Sequence, residues 1–378
     1  MSKTRGKRQS TFWGEPPWQI GFEPKEHSLP REVDIAVVGG GFTGLAAAAW
    51  LRSLAPETTV AVLEANRFGS GASGRTGGIA LAGTAAGDLP GLGDVLGGFQ
   101  GILEKLDVDC KLTLTGVWEI ARKETFAESP LAWEDSGTLR VASEVPGGAV
   151  DPGKLVGGLA RAAEHRRATL FEHAPVEGIR FDEPLKLELP HGGLRARQVL
   201  FAMNAQSLEL SGFALRAQAR FTLALATEPL KPNQLEAVGL GQRKPFYTLD
   251  LPYLWGRTLA NDGVIFGAGL VDVQGSRELG AINVASGEAA EKLSSLERRV
   301  RGLHPALRSV KITHRWGGPI LFGNAFRPYF RRHPRSDNVL VLGAYSGQGV
   351  TLSVYLGCWA AEVLLGRRDP PAWGAISK

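Results

Sequence analysis

Residues Val33-Asp34-Ile35-Ala36-Val37-Val38-Gly39-Gly40-Gly41-Phe42-Thr43-Gly44 read as a strand, a glycine turn and the start of a helix. A second apolar run, Thr58-Thr59-Val60-Ala61-Val62-Leu63, closes in Glu64. In such a unit Gly39 makes the tight turn, Gly41 lets the backbone approach a pyrophosphate, and Gly44 lets the helix pack closely on the strand. The phosphates sit at the helix N-terminus, where free N–H groups and the positive dipole end favour anions. Glu64, at the next strand end, is placed to accept hydrogen bonds from a ribose. Strand, helix and acid together are far more specific than three spaced glycines.

Outward from this unit, the helix carries Leu45, Ala48, Ala49 and Leu51 toward the sheet and stops before Pro56. The run Gly69-Ser70-Gly71-Ala72-Ser73-Gly74-Arg75-Thr76-Gly77-Gly78 is too rich in glycine for a regular element. As a loop after a nucleotide-binding strand, it runs back over the cofactor. Asp151-Pro152 starts a helix, with an N-cap followed by proline at the first helical position. Strands are expected at 169–172 and 198–203, with an alternating stretch at 179–189 between them. From about 211 to 314 the pattern turns to strands at 220–227 and 247–254, and a hairpin across Asn261-Asp262-Gly263 into 264–268. A helix at 288–302 interrupts them. The short β-run 338–342 then leads into Gly343-Ala344-Tyr345-Ser346-Gly347-Gln348-Gly349 and a final helix from Val350 to Gly366.

Composition sets outer limits. The chain has 378 residues, 43% of them hydrophobic and 21% charged, enough for a large core and two domains. No apolar stretch reaches the roughly 18 residues of a membrane span. The basic start (Lys3, Arg5, Lys7, Arg8) is followed by no apolar segment, so a secretory signal is not expected. The net charge of +5 comes with no basic face interleaved with aromatics, which argues against a nucleic-acid partner. Cys110 and Cys358 stand far apart, and His165, His173, His191, His304, His314 and His333 have no metal spacing. No metal is expected, and a reduced, cytoplasmic protein is the simplest reading.

The first βαβ unit cannot by itself separate NAD from FAD, since both carry an ADP half. Two features favour the flavin. The nucleotide-binding pieces are discontinuous, and the turn at 343–349 opens a second helix whose N-terminus can face the O2/N1 edge of a reduced flavin. At this point the chain resembles the D-amino-acid-oxidase-like FAD-dependent oxidoreductases, a family that includes glycine oxidase, sarcosine oxidase and gamma-glutamylputrescine oxidase. The resemblance rests on the fingerprint with Glu64, on Gly71-Ala72-Ser73-Gly74-Arg75-Thr76-Gly77-Gly78, and on Val150-Asp151-Pro152-Gly153-Lys154-Leu155. Ala202-Met203-Asn204-Ala205, Trp316-Gly317-Gly318 and Tyr345-Ser346-Gly347-Gln348-Gly349-Val350 extend it in the family's order.

The resemblance implies an α/β fold, with a discontinuous Rossmann-like FAD-binding domain and an antiparallel β-sheet substrate domain. The expected division is an irregular lead-in at 1–30, an FAD-binding domain at 31–85, 150–210 and 315–368, and a substrate domain at 86–149 and 211–314. It places Gly39, Gly41, Phe42, Thr43 and Gly44 on the pyrophosphate, and Glu64 and Ala65 at the adenosine ribose. Ser73, Gly74, Arg75 and Thr76 fall near the pyrophosphate or flavin, and Val176 offers its backbone to the adenine. Asn204, Gly343, Ser346, Gly347, Gln348, Gly349 and Val350 fall near the flavin. Tyr253, Trp255, Trp316 and Arg327 are candidates for the substrate pocket, with Arg315 and Arg331 as further candidates for a carboxylate.

The chemistry implied is hydride transfer from the carbon bearing the amine to flavin N5, giving an imine that hydrolyses, with oxygen or another acceptor reoxidising the flavin. No side chain is singled out as catalytic. Three departures qualify the resemblance. Gln348 stands where the family often has His; residues 311–342 hold no Cys for a covalent flavin link, so FAD is expected to be non-covalent; and no arginine matches the usual carboxylate position. A non-catalytic or partner-dependent flavin subunit therefore stays open, as does, further off, an NAD-type dehydrogenase. A partner subunit is compatible with sarcosine oxidase-like heteromers.

Overall fold

β1 (Glu32–Val38) is the centre of the nucleotide-binding half because it is apolar on both faces. Ile35 and Val37 point into one core, and Val33, Ala36 and Val38 into another on the opposite side of the sheet. The computed structural model describes residues 12–122, 129–190, 192–206, 208–212 and 217–374. The basic start and His191 lie outside them.

β1 pairs in parallel with β2 (Val60–Leu63) on one side and with β11 (Gly192–Phe201) on the other. β8 (Thr169–Phe171) adds in parallel beyond β2, and β18 (Ser336–Gly343) beyond β11. The edge strand β17 (Tyr329–His333) is antiparallel to β18, and the hairpin of β9 (Gly178–Arg180) and β10 (Leu185–Leu189) pairs with the first half of β11. Segments from the start, middle and end of the chain thus meet in one sheet.

Three helices cover one face of it. α1 (Phe42–Leu54) is buried almost all round, with four successive alanines, Ala46 to Ala49, fully enclosed. α3 (Pro152–His165) starts where Asp151 and Pro152 predict, the Asp151 carboxylate accepting from the Lys154 amide at 2.9 Å. α5 (Gly349–Leu364) crosses α1 so closely that a Cβ on Gly357 would lie 2.5 Å from the Thr43 carbonyl. α2 (Val95–Leu106) joins this layer, burying Val95, Phe99, Ile102, Leu103 and Leu106 in the same core. Its residues fall in the stretch 86–149 expected over the substrate; the apolar stripe of α2 instead seals the outside of the nucleotide-binding layers.

The second sheet runs in the order β16-β12-β15-β14-β13-β4-β6-β5. Its strands are β4 (Val117–Arg122), β5 (Trp133–Glu134), β6 (Thr138–Val145), β12 (Ala217–Thr227), β13 (Phe246–Thr248), β14 (Trp255–Thr258), β15 (Val264–Asp272) and β16 (Ile312–Gly323). It is antiparallel except where β13 lies parallel to β4. β3 (Ile79–Leu81) and β7 (Gly147–Ala149) form a separate antiparallel pair. α4 (Gly287–Leu303) packs Leu296, Val300 and Leu303 under the large sheet.

Two boundaries move. β16 pairs with β12 from Ala217–Gly323 to Thr227–Ile312, so the break expected at 315 falls inside a strand of the second sheet. Of the strand expected over 247–254 only the end of β13 forms, and the rest is a turn that leads into β14 at Trp255. Pro252 cannot donate to a ladder, and the Thr248 hydroxyl closes the turn by accepting from the Leu254 amide at 2.8 Å and donating to the Asp250 carbonyl at 3.1 Å. The hairpin across 261–263 does join β14 to β15, as its Asn-Asp-Gly sequence predicts. No helix among the described residues is long and apolar enough to cross a membrane.

Candidate cofactor site

The glycine turn after β1 has four glycines under different constraints. Gly39 has φ +109°, and a Cβ there would sit 2.7 Å from the Ala202 carbonyl. On Gly44 a Cβ would lie 2.0 Å from the Gly39 carbonyl, so the expected close helix–strand packing is present. On Gly41 it would meet the Ser73 hydroxyl at 2.7 Å. Gly40, to which the sequence reading gave no role, is pressed against the Phe68 ring, 2.3 Å from where its Cβ would be.

Glu64 is buried, and its carboxylate accepts from the amides of Gly40 at 2.8 Å and Asn66 at 2.9 Å. Burial pushes its carboxyl up from the ordinary value; the two amide bonds pull the other way, and Glu172 adds to the rise. Glu64 thereby holds the glycine turn in shape, and Ala65 beside it is exposed. Ala174 donates to the Glu64 carbonyl at 2.8 Å, which brings half-buried Val176 to the same strand end.

The loop at 69–78 folds back onto this turn. Ser73 Oγ accepts from the Phe42 amide at 2.9 Å, and the Gly74 amide donates to the Gly69 carbonyl at 3.0 Å. Half-buried Thr76 accepts from the Gly78 amide. Arg75 is buried and donates to the carbonyls of Ser70, Trp13, Gly14 and Gly317 at 2.8–3.3 Å, with its guanidinium 5.4 Å from the Trp13 ring. Burial lowers its pKa to about 10. These contacts fasten the loop to the lead-in and to β16.

The second turn has Ala344, Ser346 and Gly347 at φ +59°, +52° and +92°. Asn204 Oδ1 accepts from the Ala344 amide at 2.9 Å, joining the ends of β11 and β18 beside Gly343. The Ser346 amide donates to Leu321, and its hydroxyl accepts from Gly323. Gln348 is the N-cap of α5 and its side chain makes no cap bond, while Gly41, the N-cap of α1, has no side chain to offer one. Gly349 opens α5, and Val350 is buried behind it. The Thr43 hydroxyl lies 2.7 Å from that of Tyr345, which brings the two helix starts together. Two helix N-termini side by side, the first with its Phe42 amide held by Ser73 and the second with no side-chain cap, form a cradle for an anionic, elongated group.

The second sheet covers this cradle. Trp255 lies over Gly77 and Gly267, where Cβ atoms would meet its ring at 2.3 and 2.0 Å. Ile320 reaches Gly347, and Gly318 lies against the Arg75 side chain. Of the residues expected in the pocket, one is sealed in the core and two are exposed at the surface. Trp316 is fully buried, its indole N–H donating to the Arg75 carbonyl at 3.0 Å, so it is a core residue and not a pocket wall. Tyr253 is 55% exposed in the turn that replaces the expected strand. Arg327 is exposed after the short helical turn at Asn324–Phe326. Arg315 pairs with Glu297, and Arg331 lies 4.4 Å from the Tyr329 ring.

The sequence reading missed Arg257. It is buried, donates from Nε to the Gly77 carbonyl and lies 6.0 Å from the Trp18 ring, and burial lowers its pKa to about 10. No carboxylate among the described residues is within ion-pair distance of it. Its only signal was the two-residue spacing from Trp255, which puts both on one face of β14.

The chain is similar to known proteins over most of its length. A family model described as FAD dependent oxidoreductase (DAO) matches residues 34–363. Gamma-glutamylputrescine oxidoreductase of Escherichia coli is 28% identical over an alignment covering 88% of this chain and 84% of that protein. Sarcosine oxidase subunit beta of Rhizobium meliloti is 24% identical, covering 90% and 85%. The crystal structure of glycine oxidase from Geobacillus kaustophilus superposes with a TM-score of 0.72 at 19% identity, covering 92% of this chain and 99% of that one. With a matched model spanning both sheets and both glycine turns, the chain belongs to the DAO family of FAD-dependent oxidoreductases.

Proposed function

We propose that this protein binds FAD non-covalently across the two helix N-termini and oxidises a C–N bond of an amine or amino acid. The observation that carries the reading is the pair of helix starts joined by Thr43 and Tyr345, with the loop at 69–78 folded over the first through Ser73. The residues present fit the group: glycines whose missing side chains leave the backbone bare line the turn, and a buried carboxylate stands at the next strand end. The start of α1 would hold the pyrophosphate, Glu64 the ribose, and the turn at 346–349 the pyrimidine edge of the flavin.

When bound, the flavin supplies the hydride-accepting atom. The protein's part is orientation and exclusion of water. Trp255 and Ile320 close the sheet side, and the free amides at the start of α5 favour negative charge that develops beside them. Gln348 presents a neutral carboxamide at this position, so charge there does not change with pH. Cys358 is sealed in the core of α5 and Cys110 is equally buried, which supports non-covalent attachment. Oxygen or another acceptor completes the cycle.

The test is direct. Purified protein should be yellow, release FAD on acid or heat, and lose its visible flavin absorbance when mixed anaerobically with a reactive amine or amino acid. Colourless protein that cannot be reconstituted with FAD sinks the reading. Retained FAD with no bleaching across a panel of primary and secondary amines and amino acids returns the protein to the non-catalytic subunit reading.

A further inference from the structure

The lead-in before β1 is irregular, yet its burial alternates along 18–23. Trp18, Ile20 and Phe22 are half-buried, whereas Gln19, Gly21 and Glu23 are exposed. An extended segment with period two has one face applied to the protein, and that face meets the glycine loop. Trp18 Nε1 donates to the Gly74 carbonyl at 2.8 Å, and its ring stands edge-on to Trp316 at 5.7 Å. Ile20 fills the hollow left by two glycines: a Cβ on Gly69 or Gly74 would lie 2.8 or 2.9 Å from its Cδ1. Phe22 packs edge-on against Phe68 at 6.0 Å, and Phe68 is the ring pressed on Gly40.

The segment is fixed at both ends. Upstream, Trp13 donates to the Leu279 carbonyl at 3.0 Å and its own carbonyl accepts from Gly317 and Arg75. Downstream, Arg161 donates to the Gly21 carbonyl at 2.8 Å, and the Lys25 amide donates to Glu164 at 2.9 Å. Between these anchors, two relays reach the helix start. One runs from Trp18 and Ile20 through Gly74 to Ser73, whose hydroxyl holds the Phe42 amide. The other runs from Phe22 through Phe68 to Gly40, whose amide is held by Glu64.

We infer that residues 18–22 are a positioning strap for the cofactor-binding turn, so that retention of the dinucleotide depends on a segment ahead of the nucleotide-binding fold. The inference rests on the reading that FAD occupies this cradle. A loop with this much glycine has high conformational entropy when free, and the strap supplies contacts that select one arrangement of it. Trp18 and Ile20 act through Gly74 and are positioning residues.

The experiment compares FAD release from the purified holoprotein with that from Trp18→Phe, Ile20→Ala and the milder Ile20→Val. Gln19→Ala, on the exposed side of the same segment, is the control. Release is read as the rise of free-flavin fluorescence after dilution, and melting temperature is recorded on the same samples. Trp18→Phe keeps a ring and loses one hydrogen bond, which predicts release about fivefold faster. Ile20→Ala should be faster by about tenfold, and Ile20→Val should lie between it and the wild type. Gln19→Ala should match the wild type.

Unchanged release in Trp18→Phe and Ile20→Val, whatever happens to their melting temperatures, would overturn the strap. Faster release from Gln19→Ala equal to that of Trp18→Phe would do the same. A wild-type protein without any bound FAD is a separate outcome: it removes the proposed function and the strap's role with it.

Discussion

The hydroxyls of Thr43 and Tyr345, 302 positions apart in the chain, lie 2.7 Å from each other in the interior. Thr43 is in the first turn of α1, and Tyr345 is in the turn that opens α5. Burial pushes the Tyr345 phenol well above its ordinary pKa, so the group stays a neutral hydroxyl. One helix N-terminus faces an anion by itself; two held in a fixed relation can grip separate parts of one ligand. The Thr43–Tyr345 bond and the close crossing at Gly357 set that relation.

Replacing Tyr345 with Phe leaves the ring in place and the Thr43 hydroxyl without this partner. Loss of one buried hydrogen bond with one group left unmet costs about 1–3 kcal/mol, so the melting temperature should fall by a few degrees. Thr43→Val should cost a similar amount, and the double variant should cost clearly less than the sum. Thermal denaturation of the three variants measures this. Strict additivity would mean that the two hydroxyls do not support each other.

Legibility in the sequence followed locality. Gly44 could be read because its constraint comes from Gly39 and Val37, a few residues away, and Asp151 because an N-cap bonds to the amide three residues on. The hairpin at 261–263 was readable for the same reason. Trp316 was not. Its spacing with Gly317 and Gly318 says nothing about which face of β16 points outward, and the face is decided by Arg75 and Trp18, more than 200 positions away. Arg257 and the lead-in strap were hidden likewise, since their partners, Gly77 and Gly74, are distant in sequence. Tyr253 was misplaced by a local cause: an apolar, aromatic stretch reads as strand, and the Thr248 hydroxyl and Pro252 turn it instead.

The burial of Trp316 separates its two readings by experiment. Trp316→Phe keeps an aromatic ring in the core and removes the N–H that donates to the Arg75 carbonyl. It should cost about 1–3 kcal/mol of stability through the unmet carbonyl and the lost volume. KM for an oxidised amine, once one is known, should stay within about twofold, because a fully buried ring touches no substrate. Melting curves and steady-state kinetics together check this. A large KM change with little loss of stability would put Trp316 back at the pocket.

His333 gives the fold a specific dependence on pH. It is buried, its ring is stacked on Phe181 at 4.7 Å, and its Nδ1 accepts from the Arg335 amide at 3.1 Å. Burial and then the Arg335 charge hold the imidazole below its ordinary value of 6.5, with a backbone bond to Leu210 partly opposing them. Because the folded value is lower than the unfolded one, the neutral ring is the native form. The contribution is present above about pH 6.5 and is lost as pH falls through the folded value. Protonation would also place a donor on Nδ1 opposite the Arg335 amide. The wild-type melting temperature should therefore fall between about pH 7 and about pH 5 more steeply than that of His333→Phe, which keeps a flat ring beside Phe181 but cannot titrate. The variant should be the less stable of the two at pH 7, since the Arg335 amide loses its acceptor, and the gap should narrow toward pH 5. Parallel curves would assign the acid sensitivity to other groups.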